Sequence, residues 1–242
     1  MFPAAEIAFS MPKNTKTIVI SLGGSIICPQ PDKIDTNFLR EFRLLILAFL
    51  KRGFKFIIIP GGGKVCRLYQ GAASEIAKVN DEDKDWIGIH TTRLNAHLLR
   101  TIFREQAYPV ILEDPRKPVN RKWKLLIGAG WRPGCSSDMD SVLLAKRFKI
   151  KEIINAGNIS FVFDKNPAEH KDAESFKDIS WRDYRKIVGS KWTPGLSTPF
   201  DPIASKLAQA LKIRVFIVKG TELKNLEKAI AGENFRGTVI SG

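Results

Sequence analysis

Phe54-Lys55-Phe56-Ile57-Ile58-Ile59-Pro60-Gly61-Gly62-Gly63-Lys64 reads as a buried strand stopped by a triple glycine, and this stretch decides the fold. A short apolar run rich in β-branched residues has the length of a strand, and the glycines strip every Cβ from the turn that follows. Behind the turn, Lys64 to Lys78 has helical spacing. Strand, bare turn and helix in that order let backbone N–H groups ring an anion at the positive end of a helix. Lys64 and Arg67 fall on the first helical turn and add mobile positive charge. The spacing is neither Gly-x-x-x-x-Gly-Lys-Ser/Thr nor the dinucleotide fingerprint. A merely structural triple glycine is the competing reading.

Outward from this unit the pattern repeats. Thr17-Ile18-Val19-Ile20-Ser21-Leu22 is a strand stopped by Gly23-Gly24-Ser25, whose bare backbone also lets an anion approach, although Gly-Gly closes ordinary turns as well. Phe38 to Lys51 is a helix with Phe38, Phe42, Leu45 and Phe49 on one face, closed by Gly53. The acidic cluster Asp81 to Asp85 precedes a helix from Trp86 to Gln106, and Tyr108 to Leu112 reads as a strand. Leu125 to Gly128 is a buried strand running into the turn Trp131-Arg132-Pro133-Gly134-Cys135-Ser136-Ser137, with Ser137 as the expected N-cap of a helix to about Phe148. Beyond a basic loop at 114–124, strands at Lys151–Asn155, Phe161–Phe163, Val215–Val218 and Thr238–Ile240 alternate with helices at Trp181–Val188, Asp201–Leu211 and Leu223–Ala231. Such alternation predicts an α/β fold with a mainly parallel sheet covered on both faces. Ligands of such sheets gather at the carboxyl ends of the strands, and three turns of this kind lie there.

Composition narrows the class. Three scattered cysteines and three distant histidines leave no disulfide framework, structural zinc site or His-based metal site, and indicate a reducing compartment, with the cytoplasm as the default. The longest apolar run, Leu44 to Leu50, is far shorter than the roughly 20 residues of a membrane span. The net charge of +14 is spread along the chain without a run of four basic residues, which favours a solvated surface and a phosphate-lined cleft over nucleic-acid binding. Residues 1–16 read as an N-terminal extension and 17–242 as one domain, divided near residue 150 into two functional lobes.

Gly23-Gly24-Ser25, Gly61-Gly62-Gly63-Lys64 with Arg67, Ile87-Gly88-Ile89-His90-Thr91-Thr92-Arg93-Leu94-Asn95-Ala96, the turn Pro133 to Asp138 and Phe200-Asp201-Pro202-Ile203-Ala204-Ser205-Lys206 occur in a familiar order. Together they resemble the amino acid kinase superfamily and, within it, the archaeal-type uridylate (UMP) kinases, over about residues 17 to 241. The resemblance implies a three-layer αβα sandwich with a UMP lobe at 17–150 and a lobe for ATP and Mg²⁺ at 151–242. It places Gly62, Asp85, Trp131, Arg132, Pro133, Gly134, Cys135, Ser136 and Ser137 at UMP-contacting positions. Gly24, Ser25, Gly63, Arg67, Gly157, Asn158, Phe163 and Asn166 fall at ATP-contacting ones. Lys206 and Lys64 would face the transferring phosphoryl group, with no protein side chain assigned as a metal ligand. Asp201 would either orient Lys206 or cap its helix. The family's hexamers imply a homo-oligomer.

The chain departs from the family pattern at several points. Ser21 stands where superfamily members often carry a lysine, and Ser136-Ser137 stand for a Thr pair. Ser160, Phe161 and Asn166 replace Asp, Gly and Asp on the ATP side. Two other readings stand beside the kinase: a catalytically weakened nucleotide-binding sensor or storage protein, and a sister kinase for another small phosphate or carboxylate. Val65 and Cys66 after Lys64 do not match the His of isopentenyl phosphate kinases.

Overall fold

The structure, a computed structural model, describes residues 16–120, 122–191, 193 and 198–242. The expected extension therefore lies outside the described residues except for Lys16. In chain order the elements are β1 (Thr17–Leu22), α1 (Gly24–Ile27), α2 (Thr36–Lys51), β2 (Lys55–Pro60), α3 (Gly63–Ile76), α4 (Asp81–Ile102), β3 (Leu125–Ile127) and α5 (Ser137–Arg147). They continue with β4 (Glu152–Gly157), β5 (Val162–Phe163), β6 (Ser175–Phe176), β7 (Asp178–Ser180), α6 (Trp181–Val188), α7 (Pro202–Ala210), β8 (Arg214–Lys219), α8 (Leu223–Ala231) and β9 (Thr238–Ser241).

Seven strands form one sheet in the order β3-β2-β1-β4-β8-β9-β7, and β5 pairs with β6 in a separate hairpin. All neighbours in the large sheet are parallel except β8 and β9. Alternating side chains of the buried strands feed two cores. Ile18, Ile20 and Leu22 of β1 pack with Phe38, Phe42, Ile46 and Phe49 of α2, Leu99 of α4 and Leu226 and Ile230 of α8. Val19, on the opposite face, joins Ile57 and Ile59 of β2, Val142 and Leu144 of α5, Trp181 and Tyr184 of α6 and Ala204 and Ala208 of α7. Each large side chain buried in this way contributes roughly 1.5–3 kcal/mol. The result is the three-layer αβα sandwich.

Several local expectations are corrected. The acidic residues 81–85 are not a prelude to α4 but its first turns, capped by Asn80, whose side chain accepts from the Asp83 amide. Carboxylates are favoured at that end of the helix dipole. The expected strand at Tyr108–Leu112 is only two isolated bridges, Ala107 to Leu125 and Leu112 to Gly128, because Pro109 has no N–H to continue a ladder. The N-cap of α5 is Ser136, one residue earlier than expected, its hydroxyl accepting from the Met139 amide. Phe161–Phe163 shortens to β5 and leaves the main sheet for the hairpin with β6. The short α1 and the edge strand β7 were not expected.

Candidate active site

The carboxyl ends of β1, β2 and β4 open together, with β1 between its two neighbours. The chain runs from β1 to β2 and β3 on one side, then returns to β4 on the other, so the crevice lies where the strand order reverses. A cleft of about 990 Å³ occupies this position.

Its centre is a contact between two backbones. A Cβ on Gly24 would lie 2.3 Å from the Gly61 oxygen and 2.5 Å from the Gly63 nitrogen. One on Gly63, where φ is +67°, would lie 2.4 Å from the Gly24 carbonyl carbon. Only glycine fits at either position, and no other residue would tolerate φ at 63 without strain. The Gly61 amide donates to Leu22 O at 2.8 Å and the Gly23 amide to Ala156 O at 2.9 Å, fixing both turns to the sheet. Arg67 bridges them, donating to Ser25 Oγ at 3.0 Å.

One half of the cleft is walled by α3, α4 and the β3–α5 turn. Asn95 Nδ2 donates to Gly61 O at 2.8 Å. Thr92 Oγ1 accepts from the Gly130 amide at 2.9 Å and donates to Ile89 O at 2.7 Å. Asp85 Oδ2 accepts from the Gly134 amide at 2.7 Å. Burial lifts the Asp85 pKa against this bond. Of the predicted UMP contacts, Gly62, Asp85, Cys135, Ser136 and Ser137 line the cleft. Trp131, Arg132, Pro133 and Gly134 are not part of its wall; Trp131 lies between guanidiniums, with Arg132 at 4.3 Å and Arg116 at 5.0 Å from the ring centroid. Such cation–π contacts hold the ring at the rim.

The other half is walled by the end of β4, the β5–β6 hairpin and the end of α6. All eight predicted ATP contacts, Gly24, Ser25, Gly63, Arg67, Gly157, Asn158, Phe163 and Asn166, line the cleft. Ile159, Phe161, Ile187 and Val188 give this half an apolar surface suited to a planar base.

At the floor stands Asp138, in the first turn of α5. Its Oδ1 accepts from Ser21 Oγ and Asn155 Nδ2, each at 3.0 Å, and its Oδ2 from the Asp201 amide at 3.0 Å. Burial, followed by the nearby Asp201 charge, pushes its pKa up to about 7. Ser21, in place of a lysine, therefore supplies a hydrogen bond but no charge. Asp201 itself caps α7, Oδ1 accepting from the Ala204 amide at 2.6 Å, and burial raises its pKa too. Asp140, in the same first turn of α5, is buried with neither carboxylate oxygen hydrogen-bonded among the described residues, and burial holds its pKa well above the usual range.

Lys64 and Lys206 are exposed and stand outside the cleft wall. The cations on the described wall are Arg67 and Lys165, the second of which drew no attention in the sequence. Asn95 and Thr92 were quoted there only as part of a segment; that they bind loops across the cleft needs the fold to be seen. Among the described residues no group of three or more His, Cys, Asp and Glu is arranged for a metal ion. Mg²⁺ commonly needs only one or two carboxylates besides substrate phosphates, and Asp138, with three donors on two oxygens, keeps acceptor capacity for it. Among the described residues no helix is long and apolar enough to cross a membrane.

Comparison with known proteins agrees with this architecture. The model of the amino acid kinase family matches residues 16–219. A uridylate kinase of Thermococcus sibiricus is 32% identical over 226 residues, covering 92% of this chain and 98% of that protein. One from Thermoplasma volcanium is 34% identical over 222 residues, covering 90% and 94%. The crystal structure of uridylate kinase from Archaeoglobus fulgidus superposes with a TM-score of 0.79 at 30% identity, covering 94% of this chain and all of that one. Cleft, sheet order and kinship agree: the chain belongs to the amino acid kinase family.

Proposed function

We propose that the protein is a UMP kinase, transferring the γ-phosphoryl group of ATP to UMP to give UDP and ADP. The observation that carries this reading is the backbone contact between the Gly24 and Gly63 turns at the centre of one cleft. Two anion-binding turns that touch are suited to hold donor and acceptor phosphates in line, and phosphoryl transfer needs mainly positioning and charge stabilisation.

In this reading the half walled by α4, part of a lobe at 17–150, takes UMP. Asp85 accepts from a ribose hydroxyl with its remaining capacity, and Gly62 and Ser136–Ser137 meet the phosphate. The half formed with the 151–242 lobe takes ATP, with the base against Phe163 and the phosphates near Gly24, Ser25, Gly63 and Arg67. A UMP phosphate oxygen attacks the γ-phosphorus as the bond to the bridging β,γ-oxygen breaks, and ADP leaves with those electrons. Lys206 and Lys64 reach the transferring group from outside the present wall. Support for Lys206 comes from its helix, whose cap residue Asp201 is bonded to Asp138 at the cleft floor. Asp138 would hold Mg²⁺ together with the triphosphate, and the ion would supply charge neutralisation at the phosphate oxygens.

We read the protein as cytoplasmic, in keeping with its three free cysteines, and as a homo-oligomer, a hexamer by resemblance. Support for the second point is α3, which buries none of its residues and exposes Leu68, Tyr69 and Ile76; light scattering at a monomeric mass would refute it. The function is tested by a coupled assay with ATP, Mg²⁺ and UMP, CMP or AMP in turn. Turnover greatest with UMP is expected. Retained UMP binding without turnover would instead support a nucleotide sensor.

A further inference from the structure

The charged residues on the described cleft wall are Arg67, Asp85, Asp138, Asp140, Asp164 and Lys165. A bound triphosphate brings a dense negative charge that must be compensated when water is displaced. Arg67 already has a task, meeting the phosphates beside the glycine turns to which Ser25 ties it. That leaves Lys165, on the turn between β5 and β6, as the wall cation without an assigned task.

Its neighbours differ from it. Asp164 is tied into the hairpin, Oδ1 accepting from the Glu174 amide at 2.8 Å and its own amide donating to Glu174 O at 3.1 Å. Asn166 is tied as well: Oδ1 accepts from the Ala168 amide at 3.1 Å, and Nδ2 donates to Glu169 at 2.7 Å. The side chains of these two residues build the turn and are not free to follow a ligand. Among the described residues Lys165 is held only by Asp172, at 2.5 Å, and that carboxylate is 76% exposed. An exposed pair of this kind contributes at most about 1 kcal/mol, so an anion of higher charge displaces it readily. Lys165 also carries a long, flexible stem between two fixed neighbours.

We propose that Lys165 contacts the phosphates of the donor nucleotide, exchanging the Asp172 carboxylate for phosphate oxygen when the nucleotide binds. Asp172 thus competes with the ligand and keeps the lysine parked at the wall of the empty cleft. This rests on the assignment of the hairpin half to ATP.

The test uses the full chain and isothermal titration with a non-hydrolysable ATP analogue and, separately, with adenosine. Lys165→Met is expected to weaken the analogue about tenfold, as one charge-assisted bond is lost, while adenosine binding stays within about twofold. Lys165→Arg restores most of the affinity. Asp172→Asn separates this role from a structural one, because it breaks the same ion pair but frees the lysine: analogue binding should tighten, by about twofold to threefold. If Lys165→Met and Asp172→Asn both weaken the analogue, the pair only holds the hairpin and the proposal is wrong. It is equally wrong if Lys165→Met leaves the analogue unaffected or weakens adenosine as much. A wild type that binds the analogue yet does not phosphorylate UMP would sink the kinase reading while the titrations still decide the role of Lys165. A wild type that binds no analogue overturns both.

Discussion

The two halves of the cleft are held by different means. On the α4 side, side chains from one long helix reach across to loop backbones: Asn95 to Gly61, Thr92 to Gly130, Asp85 to Gly134. On the hairpin side, the turn is held mostly by its own residues, Asp164 to Glu174 and Asn166 to Glu169 and Ala168. The first arrangement gives a wall whose shape depends on distant parts of the fold. The second gives a wall whose turn is closed by local bonds, while its strands are tied to β9 through Thr238.

The contrast has a common origin in the glycine contact, and breaking it there should produce the largest effect. Gly63→Ala places a Cβ against Gly24 at a strained φ, so we expect no measurable turnover and a loss of about 3 kcal/mol or more in denaturant unfolding. Near wild-type stability would show that the turns separate easily. On the donor side, Lys206→Ala should lower kcat about a hundredfold with far less change in the UMP requirement. Near-normal turnover would remove Lys206 from the transition state. On the acceptor side, Asn95→Ala leaves the Gly61 carbonyl without its side-chain donor and should cost about 1–3 kcal/mol. It should also raise KM for UMP more than KM for ATP; an equal rise in both would erase the distinction between the halves.

The smallest effect concerns pH at the floor that both halves share. Burial raises the Asp138 pKa from the ordinary carboxylate value of 3.8 to about 7 in the folded protein, so the native state binds the extra proton. Stability from this group is full below about 4 and is lost as pH rises to about 7. Asp201 and Asp140 shift in the same direction. Asp114 and Asp183 are lowered to about 2 by Arg116 and by Lys186 respectively, and act only below pH 4. Unfolding midpoints should therefore fall between pH 4 and 7, and fall less steeply in Asp138→Asn; unchanged steepness would show that Asp138 is not the group responsible.

Much of this was legible in the residues themselves. Bare turns after apolar runs mark strand ends whatever their tertiary setting, which is why Gly24 and Gly61 to Gly63 stood out. Asp201 before Pro202 has the chemistry of a helix start, and it caps α7. The ties from Asn95 and Thr92 were illegible because a polar residue on a helix says nothing about the loop it will meet. Strands of two or three residues, such as β6 and β7, carry too little periodicity to be distinguished from loop. Tyr108 to Leu112 failed in the opposite sense, since its apolar character arises from packing beside β3 and not from a ladder. Lys165 looked like one basic residue among many until its place on the wall was known.

Strand β9 has a consequence for how the protein is made. It is synthesised after α8, yet it lies between β8 and β7, and β7 has no other partner in the large sheet. Its Thr238 also accepts from the Val162 amide of the hairpin and donates to Phe176 O. A nascent chain emerging from the ribosome can thus assemble β1, β2, β3 and the α4 wall while the hairpin is still unanchored. The α4 side of the cleft matures first, and the hairpin side is completed late in translation.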